Sequence, residues 1–126
     1  MELSGKTKVV ILIGNPVEHS MSPKMHTSAF KEIGIDAIYI ATKVENKRVK
    51  AAVESIRALN FLGANVTIPH KVAVMKFVDE LDPIAKDIGA VNTIVNKEGK
   101  LYATNTDGLG FMRSMREAGI KLEGMN

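Results

Sequence analysis

The sequence predicts an α/β fold with three layers, α/β/α, built on a mainly parallel sheet with an antiparallel edge hairpin. Three observations carry this. Short apolar runs of strand length alternate with segments of helical period, and each crossover of that kind has to cover a sheet. Glycines and prolines stand at the joints between the periodic segments. Two late strand-like runs flank Lys97-Glu98-Gly99, whose glycine supports a tight reversal.

The first strand is the apolar run Val9 to Ile13, ended by Gly14. From Ser22 the period becomes helical: Ser22 fits an N-cap, Pro23 a first helical position, and Met25, Ala29, Phe30 and Ile33 follow on one face until Gly34. Ala37 to Val44 reads as a second strand, and Val49, Ala52, Val53, Ile56 and Leu59 mark the apolar face of the next helix. Ala64 to Ile68 is a third strand, stopped by Pro69 and followed by a shorter helix from Lys71 to Val78. Asp82-Pro83 opens another helical turn, ending near Gly89. The hairpin pairs Val91 to Val95 with Leu101 to Asn105, and Thr106 and Asp107 offer caps for a final helix carrying Leu109, Met112 and Met115, closed by Gly119.

A chain of 126 residues, 45% hydrophobic and 25% charged, buries one core and is too short for two ordinary domains. It shows no apolar stretch of about 18 residues and no signal-peptide pattern, so a soluble, cytoplasmic protein without a membrane partner is expected. Without cysteine there is no disulfide, thiolate nucleophile or thiolate-ligated metal. The net charge of +3 is spread among acids, and its densest run, Lys47-Arg48 with Lys50, lacks interleaved aromatics. No nucleic-acid partner is expected.

Ligands of open parallel sheets bind beyond the carboxyl ends of the strands. That rule selects Gly14 to Pro23, Asn65 to Lys71, Gly89 to Thr93 and Asn105 to Gly110. Ser20 and Ser22 stand before a helix N-terminus that favours an anion, so two hydroxyls there can grip a carboxylate; on spacing alone, a plain cap and a solvent-facing serine fit as well. Lys71, held near a strand end after Asn65 and Thr67, is a proton-transfer candidate, or else a surface lysine opening a helix. Asn92, Asn105, Thr106 and Asp107 offer partners for the hydroxyls of a polyol, although loops use the same residues for turns. His70 reads as structural, and His19 and His26 lack metal-ligand spacing, so no metal is expected. Gly108-Leu109-Gly110 suggests a dinucleotide loop, but Arg113 stands where the third glycine belongs.

These segments, GNPVEHSMSPKMH, NVTIPHK, GAVNTI and NTDGLGF in this order, closely resemble the N-terminal substrate-binding domain of the shikimate and quinate dehydrogenase family. The resemblance spans nearly the whole chain, residues 1–126. It implies an α/β substrate domain that is followed, in the family, by a Rossmann domain binding NADP, or NAD in some quinate enzymes. The implied reaction is NADPH-dependent, reversible reduction of 3-dehydroshikimate to shikimate, on the route to aromatic amino acids.

By motif, Ser20 and Ser22 would hold the substrate carboxylate, and Thr67, Asn92 and Asp107 its ring hydroxyls, while Lys71, paired with Asp107, would exchange the proton. A neighbouring carboxylate stabilises an ammonium, which the reductive direction requires. Serine at both Ser20 and Ser22 resembles the shikimate-preferring pattern. The family continues past the equivalent of Asn126 into its nucleotide domain, so the resemblance implies that these residues alone bind no cofactor and transfer no hydride. The expected partner is a small-molecule acid, with a homodimer left open. The competing reading is a stand-alone, non-catalytic module that binds shikimate- or quinate-like hydroxy acids; retention of Lys71 favours enzymatic ancestry.

Overall fold

The structure, a computed structural model, describes residues 2–106. Its centre is a six-stranded sheet of strands β1 (Lys8–Gly14), β2 (Ala37–Lys43), β3 (Gly63–Val66), β4 (Glu80–Leu81), β5 (Thr93–Lys97) and β6 (Lys100–Thr104), ordered β2-β1-β3-β5-β6-β4. β1 pairs in parallel with β2 and β3, Ile11 lying opposite Ile40 and Ala64. β5 runs antiparallel to both β3 and β6. The expected α/β class with a mainly parallel sheet therefore holds. The two-residue β4, which the sequence reading did not anticipate, pairs in parallel with β6 and takes the outer position beside the hairpin.

The hairpin turns through Glu98 and Gly99 at φ 54° and 89°, the left-handed pair that a two-residue turn matched to strand twist demands. Asn96 accepts the Gly99 N–H at 2.8 Å and fastens it. Gly63 answers a different need: a Cβ there would lie 2.2 Å from the Ile94 carbonyl oxygen, so β3 and β5 approach only because the side chain is absent.

One face of the sheet is covered by helix α2 (Val49–Ala58), a 3-10 helix (Ala73–Phe77) and helix α3 (Pro83–Ile88). Val49, Val53 and Ile56 of α2 pack with Ile11, Ile13, Ala64, Val66, Ile94 and Leu101 of the sheet. Arg57 ties this layer down, its guanidinium reaching Glu54 at 2.7 Å, Asp79 at 2.9 Å and the carbonyls of Phe77 and Gly99. Asp82 caps α3 through the Ala85 N–H at 2.8 Å, and Gly89 at φ 78° closes it. The other face carries helix α1 (Ser22–Glu32), which seats Phe30 against Leu12, Val17 and Tyr39.

Three details depart from the sequence reading. Met21 rather than Ser22 is the residue before α1, because Met21 is already at helical dihedrals and its carbonyl accepts the Met25 N–H. Of the apolar positions assigned to α1, only Phe30 is partly buried; Met25 and Ile33 are 63% and 69% exposed, and Leu59, past the end of α2, is 63% exposed. Chain periodicity marks a face but not how far the sheet extends beneath it. The segment after Lys71 forms a 3-10 helix in place of an α-helix. One i→i−4 bond, from the Val74 N–H to His70, gives way at once to an i→i−3 bond from Met75 to Val72. The final helix expected from Thr106 lies, after its first residue, outside the described residues.

Candidate functional site

β1, β2, β3 and β6 end, and the antiparallel β5 begins, at one edge of the sheet. Motifs far apart in sequence meet there for that reason. The loop after β1 and the loop after β3 are stitched together: the Thr67 N–H donates to the Ile13 carbonyl at 2.9 Å, and the Asn15 N–H to the Ile68 carbonyl at 3.2 Å. Gly14 permits the contact, since a Cβ on it would lie 2.3 Å from the Thr67 methyl and 3.1 Å from a Val17 methyl. Both loops contain a cis X-Pro peptide, at Asn15-Pro16 and Ile68-Pro69.

Between these loops lies a cavity of about 310 Å³ lined by Leu12, Pro16, Val17, His19, Ser20, Ser22 and Thr67. The Ser22 N–H donates to the Ser20 hydroxyl oxygen at 3.2 Å, and the Ser20 N–H to the Val17 carbonyl at 3.0 Å. The first turn of α1 holds no acidic residue to offset its dipole. Although the Ser22 N–H is taken by Ser20, Pro23 has none and the Met25 N–H bonds to Met21, the positive end of the helix still favours an anion. Glu18 is engaged locally: its own backbone N–H, with that of Val17, holds its carboxyl below the usual value, aided by Lys43 and His19. The cavity thus offers three hydroxyl-bearing side chains, Ser20, Ser22 and Thr67, with His19 and the start of α1, beside the apolar Leu12, Pro16 and Val17.

Lys71 is half-buried and follows His70, which is buried and fixes the loop from beneath. The His70 Nε2 pairs with the Val44 carbonyl just past β2, and the His70 backbone N–H donates to the Thr67 carbonyl at 3.0 Å. The structural role expected of His70 is the one observed. The Lys71 carbonyl accepts the Val91 N–H at 2.8 Å, which joins the Lys71 loop to the segment carrying Asn92.

Asn92 is buried, and its amide is held from two sides. Its oxygen accepts the Thr106 N–H and the Thr93 hydroxyl, each at 2.9 Å, while its nitrogen donates to the Thr106 hydroxyl at 3.0 Å. Asn105, one of the expected ligand partners, instead turns inward and donates to the Ala90 carbonyl at 3.1 Å. Of the sequence-selected residues, Ser20, Ser22 and Thr67 share one cavity wall, and Lys71 and Asn92 are joined to it through backbone bonds. Asp107, its pairing with Lys71 and Gly108-Leu109-Gly110 lie outside the described residues. Gly14 and His19 were not assigned to the site from sequence. A glycine closing a buried strand next to a polar loop was the available signal for the first, and His19 gave none beyond its neighbours.

Among the described residues, no three His, Cys, Asp or Glu side chains gather as a metal centre, and no helix is long and apolar enough to cross a membrane.

Residues 12–94 match the profile of the shikimate dehydrogenase substrate binding domain. The chain belongs to that family. Relatives of the domain include the NADP(+) shikimate dehydrogenase of Bacillus cytotoxicus, 55% identical over 105 residues, which are 83% of this chain and 38% of the relative. That of Methanobrevibacter smithii is 54% identical over 115 residues, 91% of this chain and 40% of the relative. Among solved structures, the shikimate 5-dehydrogenase of Listeria monocytogenes in complex with shikimate and NAD superposes with a TM-score of 0.87 at 43% identity, covering 98% of this chain and 43% of that one. The chain spans about two-fifths of the length of the shikimate dehydrogenases it matches.

Proposed function

We propose that residues 1–126 form one domain, the substrate-binding and proton-transfer half of an NADP-dependent shikimate dehydrogenase, which interconverts 3-dehydroshikimate and shikimate. The observation that carries this reading is the single cavity into which the two loops bring Ser20, Ser22 and Thr67, in a chain of this family. A planar carboxylate fits the paired hydroxyls at the start of α1, where Ser20 and Ser22 would donate to it and the helix dipole would stabilise its charge. Thr67, which lines the same cavity, would take a ring hydroxyl, and Asn92, its amide orientation already fixed, would take another. Asp107 would complete the set.

Lys71 is assigned the proton. As charge develops on the carbonyl oxygen of 3-dehydroshikimate, an ammonium held there stabilises it and then donates the proton; in the reverse direction a neutral lysine accepts it. The Asp107 carboxylate would favour the charged form. NADPH supplies the hydride when bound, and its site is assigned to the further length that the relatives possess. In a full-length protein carrying this domain, Lys71→Ala should lower kcat by roughly 10²–10⁴-fold and move KM far less. A change confined to KM would make Lys71 a binding residue and remove the proton-transfer assignment.

A further inference from the structure

Tyr39 has no part in the chemistry described so far, yet it stands where the site's polar side chains meet. Its ring is 5% exposed on β2, stacked under His26 of α1 with centroids 4.7 Å apart, and its backbone N–H donates to the Thr27 hydroxyl at 3.0 Å. A buried tyrosine needs a partner for its hydroxyl, and here that partner is the side-chain oxygen of Asn65 on β3, at 2.9 Å.

With its oxygen engaged, Asn65 has only its nitrogen to offer β5. That nitrogen donates to the Asn92 carbonyl and to the Thr93 hydroxyl, both at 3.3 Å. The Thr93 hydroxyl passes its hydrogen to the Asn92 side-chain oxygen at 2.9 Å, and the Asn92 nitrogen donates to the Thr106 hydroxyl at 3.0 Å. From Tyr39 to Thr106 each group donates onward in one direction: the Asn92 carbonyl and the Thr106 N–H fix which way the two amides face, and the Tyr39 hydroxyl completes the row by satisfying the Asn65 oxygen.

We infer that Tyr39 is a positioning residue for the substrate site: its hydroxyl holds the Asn65 amide in place and, through Thr93, reinforces the orientation of Asn92. The inference rests on the substrate reading above. It requires that the phenol keep its hydrogen wherever binding is measured, and burial pushes its pKa up to about 12, with the Ser22 hydroxyl acting the other way.

Tyr39→Phe tests it, because the ring, its burial and the His26 stack all remain while only the donor is lost. Shikimate affinity of the 126-residue chain should weaken about three- to tenfold, the range a single neutral hydrogen bond commands. Tyr39→Phe made in an Asn65→Ala background should then cost nothing further, since the relay has already been cut. A tyrosine that merely fills space would give the opposite pattern: unchanged affinity at temperatures where both proteins are folded, whatever the melting temperature does, or effects that add in the double variant. Either of these overturns the assignment. Wild-type binding with an unaltered Tyr39→Phe affinity removes the inference alone, whereas a wild-type chain that ignores shikimate removes the substrate reading and this inference with it.

Discussion

The two faces of the sheet are built to different ends. Among the described residues, fourteen buried residues form one apolar cluster on the face covered by α2, while three do on the α1 face, and Leu62 and Val95 are 40% and 41% exposed there. The hydrogen-bonded row of Tyr39, Asn65, Thr93 and Asn92 is absent from the large cluster. Strand alternation accounts for the division: Ala64 and Val66 point to the α2 side while Asn65 between them points away, and Ile94 is buried on that same α2 side while Thr93 beside it is not. Two short strands, β3 and β5, thus supply stability with one set of residues and recognition with the set between, so the two properties should be separable by mutation.

The comparison is tested most strongly on the α2 face. Ile56 is fully buried at the centre of the large cluster, and Ile56→Ala should cost roughly 2–5 kcal/mol by lost transfer energy and a residual cavity. Val95→Ala on the open face should stay within about 0.5 kcal/mol. Chemical denaturation of the two variants gives both numbers, and equal losses would mean that the faces are not unequal in energy. In Ile56→Ala, shikimate affinity should be unchanged at a temperature where the protein remains folded.

Gly14→Ala probes the reverse separation. The new methyl would meet Thr67 at 2.3 Å, so Thr67 has to turn or the two loops have to part. Overpacking of this kind costs about 1–3 kcal/mol, and displacement of a ligand-facing hydroxyl should weaken shikimate about tenfold, equivalent to roughly 1.4 kcal/mol. Calorimetric titration after thermal denaturation would show whether affinity falls out of proportion to stability. An unaffected affinity would detach Thr67 from the site.

The smallest effect is expected at Asp79, which is exposed. The Leu101 N–H, at 2.7 Å, and then Arg57 hold its carboxyl below the ordinary 3.8. A carboxyl whose folded value is depressed adds stability above its unfolded value and loses it as pH falls through the folded one. Wild type should therefore be slightly more stable than Asp79→Asn near neutral pH, with the gap closing only below pH 3.8. A gap that persists or widens there, in denaturation curves taken across that range, would remove the charge from the explanation.

Much of this was legible in the sequence, and the exceptions share a physical cause. Gly34, Asp82-Pro83, Gly89 and Glu98-Gly99 act locally, through dihedral freedom and capping, and each stands where such chemistry requires it. Ser20, Ser22 and Thr67 were selected because strand ends collect ligands, and the cavity joins them. What sequence did not disclose depends on contacts across the sheet. Tyr39 lies 26 residues from Asn65, and nothing local says that one faces the other. The exposure of Met25 and Ile33 follows from how little sheet lies beneath α1, and β4 forms only because β6 offers an open edge.

The central claim is that one end of the α1 face is a shikimate site, and amide chemical-shift mapping of the 126-residue chain during titration with shikimate tests it most directly. The account predicts saturable shifts at Ser20, Ser22, Thr67 and Asn92, with Val49, Val53 and Ile56 of α2 unmoved. Saturating shikimate that leaves the four site residues in place, or that shifts the α2 face instead, would contradict it.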